Sequence, residues 1–161
     1  MSYENILFDV QDGVGILTFN RPKALNALNP KTLEEVADVV QRAKKDDAIR
    51  VLLLTGSGEK AFVAGADIGF FIECIKKNRL NDNVEFTTHG QEVLNRIDNC
   101  KKLVVAKMEG LALGGGFELA LSTDVIVATP KVIMGFPETG IGIYPGLGGT
   151  QRPARFVGKE L

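Results

Sequence analysis

Hydrophobic positions along the chain change period several times. Ile6 to Val10 and Val14 to Phe19 are short β-like runs parted by Gln11-Asp12-Gly13, which predicts a hairpin. Asn20-Arg21-Pro22 ends the second run, and Asn29-Pro30 then supplies an N-cap and a first helical proline. Leu33, Val36, Val39 and Val40 recur at helical spacing from there to about Ala43. Val51 to Leu54 is apolar on both faces, as in a central strand covered by helices. Gly56-Ser57-Gly58 breaks it, and Ala61 to Asp67 reads as a glycine-containing apolar loop. Asp67 caps a predicted helix through Phe70, Phe71, Cys74 and Ile75, and a second helix is expected from about Val84 to Ile97. Leu103 to Ala106 predicts a buried strand, followed by a polar break at Lys107 to Gly110, three glycines at 114–116, and a helical run from Phe117 to Leu121. Val125 to Val127 and Val132 to Met134 are further strand candidates, and the glycine- and proline-rich tail turns amphipathic at Gln151. Strand–helix alternation of this kind predicts an α/β fold. No internal repeat, linker or low-complexity segment divides the chain, so a single domain over 1–161 is expected.

Composition narrows the function classes. The formal net charge of -1 offers no broad basic face for nucleic acid or an anionic membrane. Cys74, Cys100 and the lone His89 cannot build a zinc cage, so no metal is expected; both thiols read as reduced and the compartment as cytoplasmic. No long apolar span or leader-like segment is present in the sequence. Gly56-Ser57-Gly58-Glu59-Lys60-Ala61 imitates a dinucleotide fingerprint, but an apolar loop rather than a helix is expected after it. Ser57 lacks a nearby base, and His89 falls in mid-helix, so serine-type hydrolysis is disfavoured.

The 18 glycines are the compositional outlier, and they cluster at 56–69, 110–116 and 135–149. Ala64-Gly65-Ala66 ends one loop at a helix start and can offer the Ala66 N–H, while Gly114-Gly115-Gly116 can offer a second from another helix start. Two such donors aimed at one carbonyl oxygen form an oxyanion hole. Glu118 lies just beyond the second donor, and Glu138 lies in a turn after a strand; two carboxyl groups in different protonation states can divide acid and base work. Taken alone, the glycines also fit tight helix packing, Glu118 an ordinary first-turn acid, and Glu138 a surface acid in a turn.

Five blocks in order weigh against those plainer readings. Asn20 to Leu28 (NRPKALNAL), Ala61 to Ile68 (AFVAGADI), Gly110 to Glu118 (GLALGGGFE), Phe136-Pro137-Glu138 and Pro145 to Arg152 (PGLGGTQR) together resemble the crotonase superfamily, specifically enoyl-CoA hydratases, over essentially the whole chain. The resemblance implies a spiral of ββα units and addition of water to a trans-2-enoyl-CoA, giving the 3-hydroxyacyl-CoA of fatty-acid β-oxidation. It places the oxyanion-hole amides on Ala66 and Gly115 and the catalytic glutamates on Glu118 and Glu138. Ala64, Ala66, Asp67 and Ile68 would run along coenzyme A, and Lys23 and Lys60 would face its phosphates. No cofactor is implied, coenzyme A being part of the substrate. Having both glutamates favours hydration over an isomerase or a ring-opening or ring-closing CoA enzyme; a catalytically silent acyl-CoA-binding or assembly module is the alternative of another class.

Gly69 stands where hydratases often carry a lysine. The family also continues beyond the position of Leu161 into helices that close the acyl pocket and form trimers. The expectation is therefore a hydratase core without its C-terminal helical region, the hydratase part of a longer, multifunctional chain or of a trimer-based homo-oligomer. As it stands, it is expected to self-associate or recruit a partner chain and to be weakly active.

Overall fold

The computed structural model describes residues 2–158. The hairpin forms as expected: β1 (Ile6–Gln11) pairs antiparallel with β2 (Val14–Phe19) across a turn whose Asp12 and Gly13 both take positive φ. The first long helix, α1 (Pro30–Lys45), starts where its cap predicts, with the Asn29 side chain accepting from the Thr32 N–H at 2.8 Å. Leu33, Val36, Val39, Val40 and Ala43 form its buried face.

Three strand–strand–helix units follow. β3 (Val51–Gly56) and β4 (Ala61–Ala64) lead into α2 (Ile68–Lys76) and α3 (Leu80–Asp98). β5 (Leu103–Met108) and β6 (Leu111–Leu113) lead into α4 (Gly115–Ala120). β7 (Val125–Ala128) and β8 (Ile133–Gly135) lead into a 3₁₀ turn at Pro137–Ile141 and then α5 (Arg152–Val157). The first strand of each unit extends one sheet, in the order β1-β2-β3-β5-β7, parallel beyond the hairpin; the second joins a smaller parallel sheet, β4-β6-β8. The α/β alternation is thus a spiral of ββα units.

Two local expectations are corrected. Ala61 to Ala64 is a strand rather than part of a loop, because its first three residues are buried and β6 is there to pair with it. The presumed break at Lys107–Met108 is strand as well: Met108 is fully buried, while Lys107 points outward and pairs in register with Val127 of β7. One lysine on the outer face does not end a strand whose inner face stays apolar. The repeating unit is invisible in the sequence because its helical parts differ so much in length, 19 residues in α3 against 6 in α4.

The core lies between the larger sheet and the α1–α3 pair, with Leu17, Phe19, Leu52, Leu54, Val104 and Ala106 facing Leu33, Val36, Val93 and Leu94 in one buried cluster. Its aromatic edge, Phe70, Phe71 and Phe86, has ring centroids 5.4–5.7 Å apart.

Candidate active site

The carboxyl ends of the three strands in the small sheet meet at one cleft. Ala64 of β4 stands opposite Leu113 of β6, which stands opposite Gly135 of β8. The residues just past those positions therefore emerge side by side: Ala66 from the first, Gly115 from the second, and the turn bearing Glu138 from the third. Loops beyond the carboxyl ends of parallel strands are a usual place for ligands in α/β sheets. The cleft here has a volume of about 490 Å³ and is lined by Ala64, Ala66, Gly114, Gly115, Glu118 and Glu138 among others.

Ala66 presents its N–H for a definite reason. Leu28 donates to the Gly65 carbonyl at 2.8 Å and accepts from the Asp67 N–H at 2.7 Å, a parallel bridge centred on Leu28 and Ala66. Such a bridge consumes both backbone groups of Leu28 and neither of Ala66, whose N–H faces away. Gly115 is the first residue of α4, where no intrahelical acceptor exists for its N–H. Neither N–H has an acceptor among the described residues. The two donors are neighbours, since a Cβ built on Gly115 would lie 3.6 Å from the Ala66 nitrogen.

The glycines between them are there for close approach. Gly114 takes φ 49° and ψ -123°, and a Cβ on it would come within 2.5 Å of Glu138 Oε1, so the carboxylate packs over bare backbone. A Cβ on Gly116 would overlap the Val63 carbonyl, so α4 rests directly on β4. Tight helix packing and the close approach of Glu138 thus draw on the same run of glycines.

Glu118 is 1% exposed. Its Oε1 accepts from the N–H groups of Leu147 and Gly149 at 2.7 and 2.6 Å, while Oε2 takes no bond from the described residues. Burial pushes its pKa above the ordinary carboxylate value; the Gly149 and Leu147 amides pull it back, the nearby Glu138 charge raises it, and Arg152 lowers it. Glu138 is half-buried, and its Oε2 is enclosed without a hydrogen-bond partner among the described residues. It arrives beside Gly114 because Gly114 donates to the Gly135 carbonyl at 2.9 Å, tying the end of β8 to the start of α4. The Phe117 and Phe136 rings pack 5.1 Å apart next to it.

The remaining candidates divide. Ala64 and Ile68 line the same cleft. Asp67 does not: its carboxylate caps α2 through the Gly69 N–H and pairs with Arg21 at 2.8 Å. Lys23 and Lys60 are exposed and line a separate cleft of about 490 Å³, which meets the first at Leu25. His89 lies in α3, away from the acids, and its Nδ1 is 4.0 Å from Glu92. The string at Gly56 leads into β4 rather than a helix, so no dinucleotide-type phosphate cradle forms there. The amides of Leu147 and Gly149 went unrecognised at the level of sequence; their only trace was the glycine-rich block at 145–149.

Comparison with known proteins gives the same direction. The family described as enoyl-CoA hydratase/isomerase matches residues 9–161. The chain is 46% identical over 161 residues to a crotonyl-CoA hydratase of Syntrophomonas wolfei and 42% identical to a short-chain-enoyl-CoA hydratase of Clostridium acetobutylicum, covering all of itself and 60% of each relative. The crystal structure of an enoyl-CoA hydratase from Bacillus anthracis superposes with a TM-score of 0.88 at 33% identity, over 98% of this chain and 60% of that one. The chain thus spans about 60% of the length of the curated relatives it matches.

Proposed function

The chain belongs to the enoyl-CoA hydratase/isomerase family, and from that premise we propose that its cleft adds water across the double bond of a trans-2-enoyl-CoA, giving the 3-hydroxyacyl-CoA. One observation carries the reading: two backbone N–H groups without an acceptor among the described residues and two carboxyl groups line the same cleft. In the proposed reaction Ala66 and Gly115 donate to the thioester oxygen and stabilise the charge that reaches it as C3 is attacked. Glu118 holds the water on its free oxygen and takes its proton; a carboxylate whose pKa has moved up towards neutrality is a better base than an ordinary one. Glu138, whose Oε2 is enclosed without a hydrogen-bond partner among the described residues, delivers a proton to C2. The C3–O and C2–H bonds form as the double bond is lost, and proton exchange with solvent resets the pair. No group beyond the coenzyme A of the substrate takes part.

Ala64, Ala66 and Ile68 then border the pantetheine path, and Lys23 and Lys60 sit where the adjoining cleft would meet the phosphates. Among the described residues no helix is long and apolar enough to cross a membrane. Cys74 and Cys100 are free thiols, which supports the cytoplasmic placement we propose.

We also propose a homo-oligomer, trimer-based, or a partner chain covering the face beyond β8. Ile133 of β8 and Ile141, Ile143 and Tyr144 after it, the last three at the rim of the cleft, are all more than half exposed, with Tyr144 at 74%. Light scattering should find self-association at micromolar concentration, and a monodisperse monomer would contradict it. The catalytic reading is tested by the loss of crotonyl-CoA absorbance with this chain, run beside a version extended to the length of its relatives. Decay dependent on protein is the expected result; silence from both would leave a binding module.

A further inference from the structure

The two amides on Glu118 are placed by a turn, and that turn has a buried anchor of its own. Arg152, at the start of α5, is 7% exposed. Its Nη1 donates to the Leu147 carbonyl at 2.8 Å, and its Nη2 donates to Oδ1 of Asn95 on α3 at 2.8 Å. Asp98, almost one helical turn further along α3, puts Oδ2 3.5 Å from Nε. Gly148 packs directly on the guanidinium, since a Cβ there would overlap Nη1. The N–H groups of Gln151 and Arg152 both return to the Gly148 carbonyl at 3.0 Å, which closes the turn on itself. A guanidinium is expensive to bury unless its fork is met by fixed acceptors; here Nη1 and Nη2 each meet one, while Nε is enclosed without a hydrogen-bond partner among the described residues and has only the Asp98 charge beside it.

We infer that Arg152 is a positioning residue for Glu118: it pins the Leu147 carbonyl to α3, which keeps the Leu147 and Gly149 N–H groups on one carboxylate oxygen and leaves the other for the cleft. The inference rests on the reading of Glu118 as the base. It also supplies a charge, since Glu118 faces Glu138 from the segment after β8 and Arg152 from α5, the first opposing and the second favouring its ionisation. Asn95 and Asp98 of α3 face the guanidinium itself.

The experiment pairs ¹³C-carboxyl NMR titration of Glu118 with crotonyl-CoA kinetics on Arg152→Met, Arg152→Lys and Asn95→Ala. In Arg152→Met the Glu118 midpoint should move to higher pH. Its kcat should fall about tenfold or more, the scale of a catalytic group let slip by a fraction of an ångström. KM should stay within about threefold, since ground-state binding is untouched. Arg152→Lys should bring the midpoint most of the way back but restore kcat only in part, because an ammonium carries the charge without the fork. Asn95 is exposed and its loss removes one acceptor rather than the guanidinium itself, so Asn95→Ala is the milder variant to read where Arg152→Met fails to fold; it should move both readouts the same way by less. A lower Tm with an unmoved midpoint in the folded variants would reduce Arg152 to a packing element and overturn the inference. The titration needs no turnover, so absence of hydratase activity would contradict the proposed reaction while the midpoint still decides the role of Arg152.

Discussion

Glu118→Gln and Glu138→Gln should each lower the rate of crotonyl-CoA hydration by about 10²-fold or more, the scale of positioned acid–base help. Glutamine keeps the shape and an acceptor oxygen, so the Leu147 and Gly149 amides stay satisfied, yet it can neither take nor give a proton. The structure gives a reason to expect that Glu118→Gln stays folded. The folded-state pKa of Glu118 is raised, so the native state holds its proton more tightly than the unfolded chain does. That contribution is complete below the unfolded value and is lost as pH rises through the folded one. Above the folded value the ionised side chain therefore works against the fold, and Gln removes that cost. Its Tm at pH 7 should equal or exceed that of the parent, a gap that narrows in acid. Steady-state kinetics and thermal melts on the same preparations check both halves. Parent-rate hydration by either variant would remove that residue from the mechanism, and loss confined to Glu138→Gln would favour double-bond isomerisation.

Gly115→Pro is expected to cost roughly 3 kcal/mol or more of transition-state stabilisation, the value of at least one oxyanion donor, read as a fall in kcat/KM. Proline deletes the N–H and sets its ring Cδ where that hydrogen pointed, so it also crowds the oxygen site. Gly115 is the first residue of α4, where proline is well tolerated, and the Gly114 before it has no side chain to clash with the ring. The nearest neighbour of the added Cβ is the tip of the Leu147 side chain at 3.2 Å, which can give way. Circular dichroism establishes the fold before the kinetics are read. A folded Gly115→Pro protein that hydrates at the parent rate would show that this amide is not in the hole.

Local chemistry was legible in the sequence, and long-range pairing was not. Asn29-Pro30 announces α1 because cap and helix lie within one turn of each other, and Asp67 announces α2 for the same reason. The small sheet left little signal, and of its three strands only β8 was foreshadowed, by the run Val132 to Met134. Its strands run four, three and three residues, too short for a period to register, and they exist because each lies beside the next. The site divides in the same way. Glycines beside helix starts pointed to backbone donors, and the ordered blocks pointed to Glu118 and Glu138. That these acids share a cleft depends on the pairing of Leu113 with Gly135 and on the Gly114–Gly135 hydrogen bond, neither of which a linear pattern encodes. Asp67, read as a coenzyme A contact by its place in a block, spends its carboxylate on capping a helix and pairing with Arg21. Arg152 stood in a quoted block with no role, because its partners Asn95 and Asp98 lie more than fifty residues away.

The most direct test of the central claim is the mass of the product formed from crotonyl-CoA. Water addition at this cleft predicts a 3-hydroxybutyryl-CoA heavier than the substrate by one water, carrying ¹⁸O at C3 when the reaction runs in H₂¹⁸O and absent when both Glu118 and Glu138 are glutamine. A product of unchanged mass with a shifted double bond, release of free coenzyme A, or no product above the uncatalysed background would contradict it.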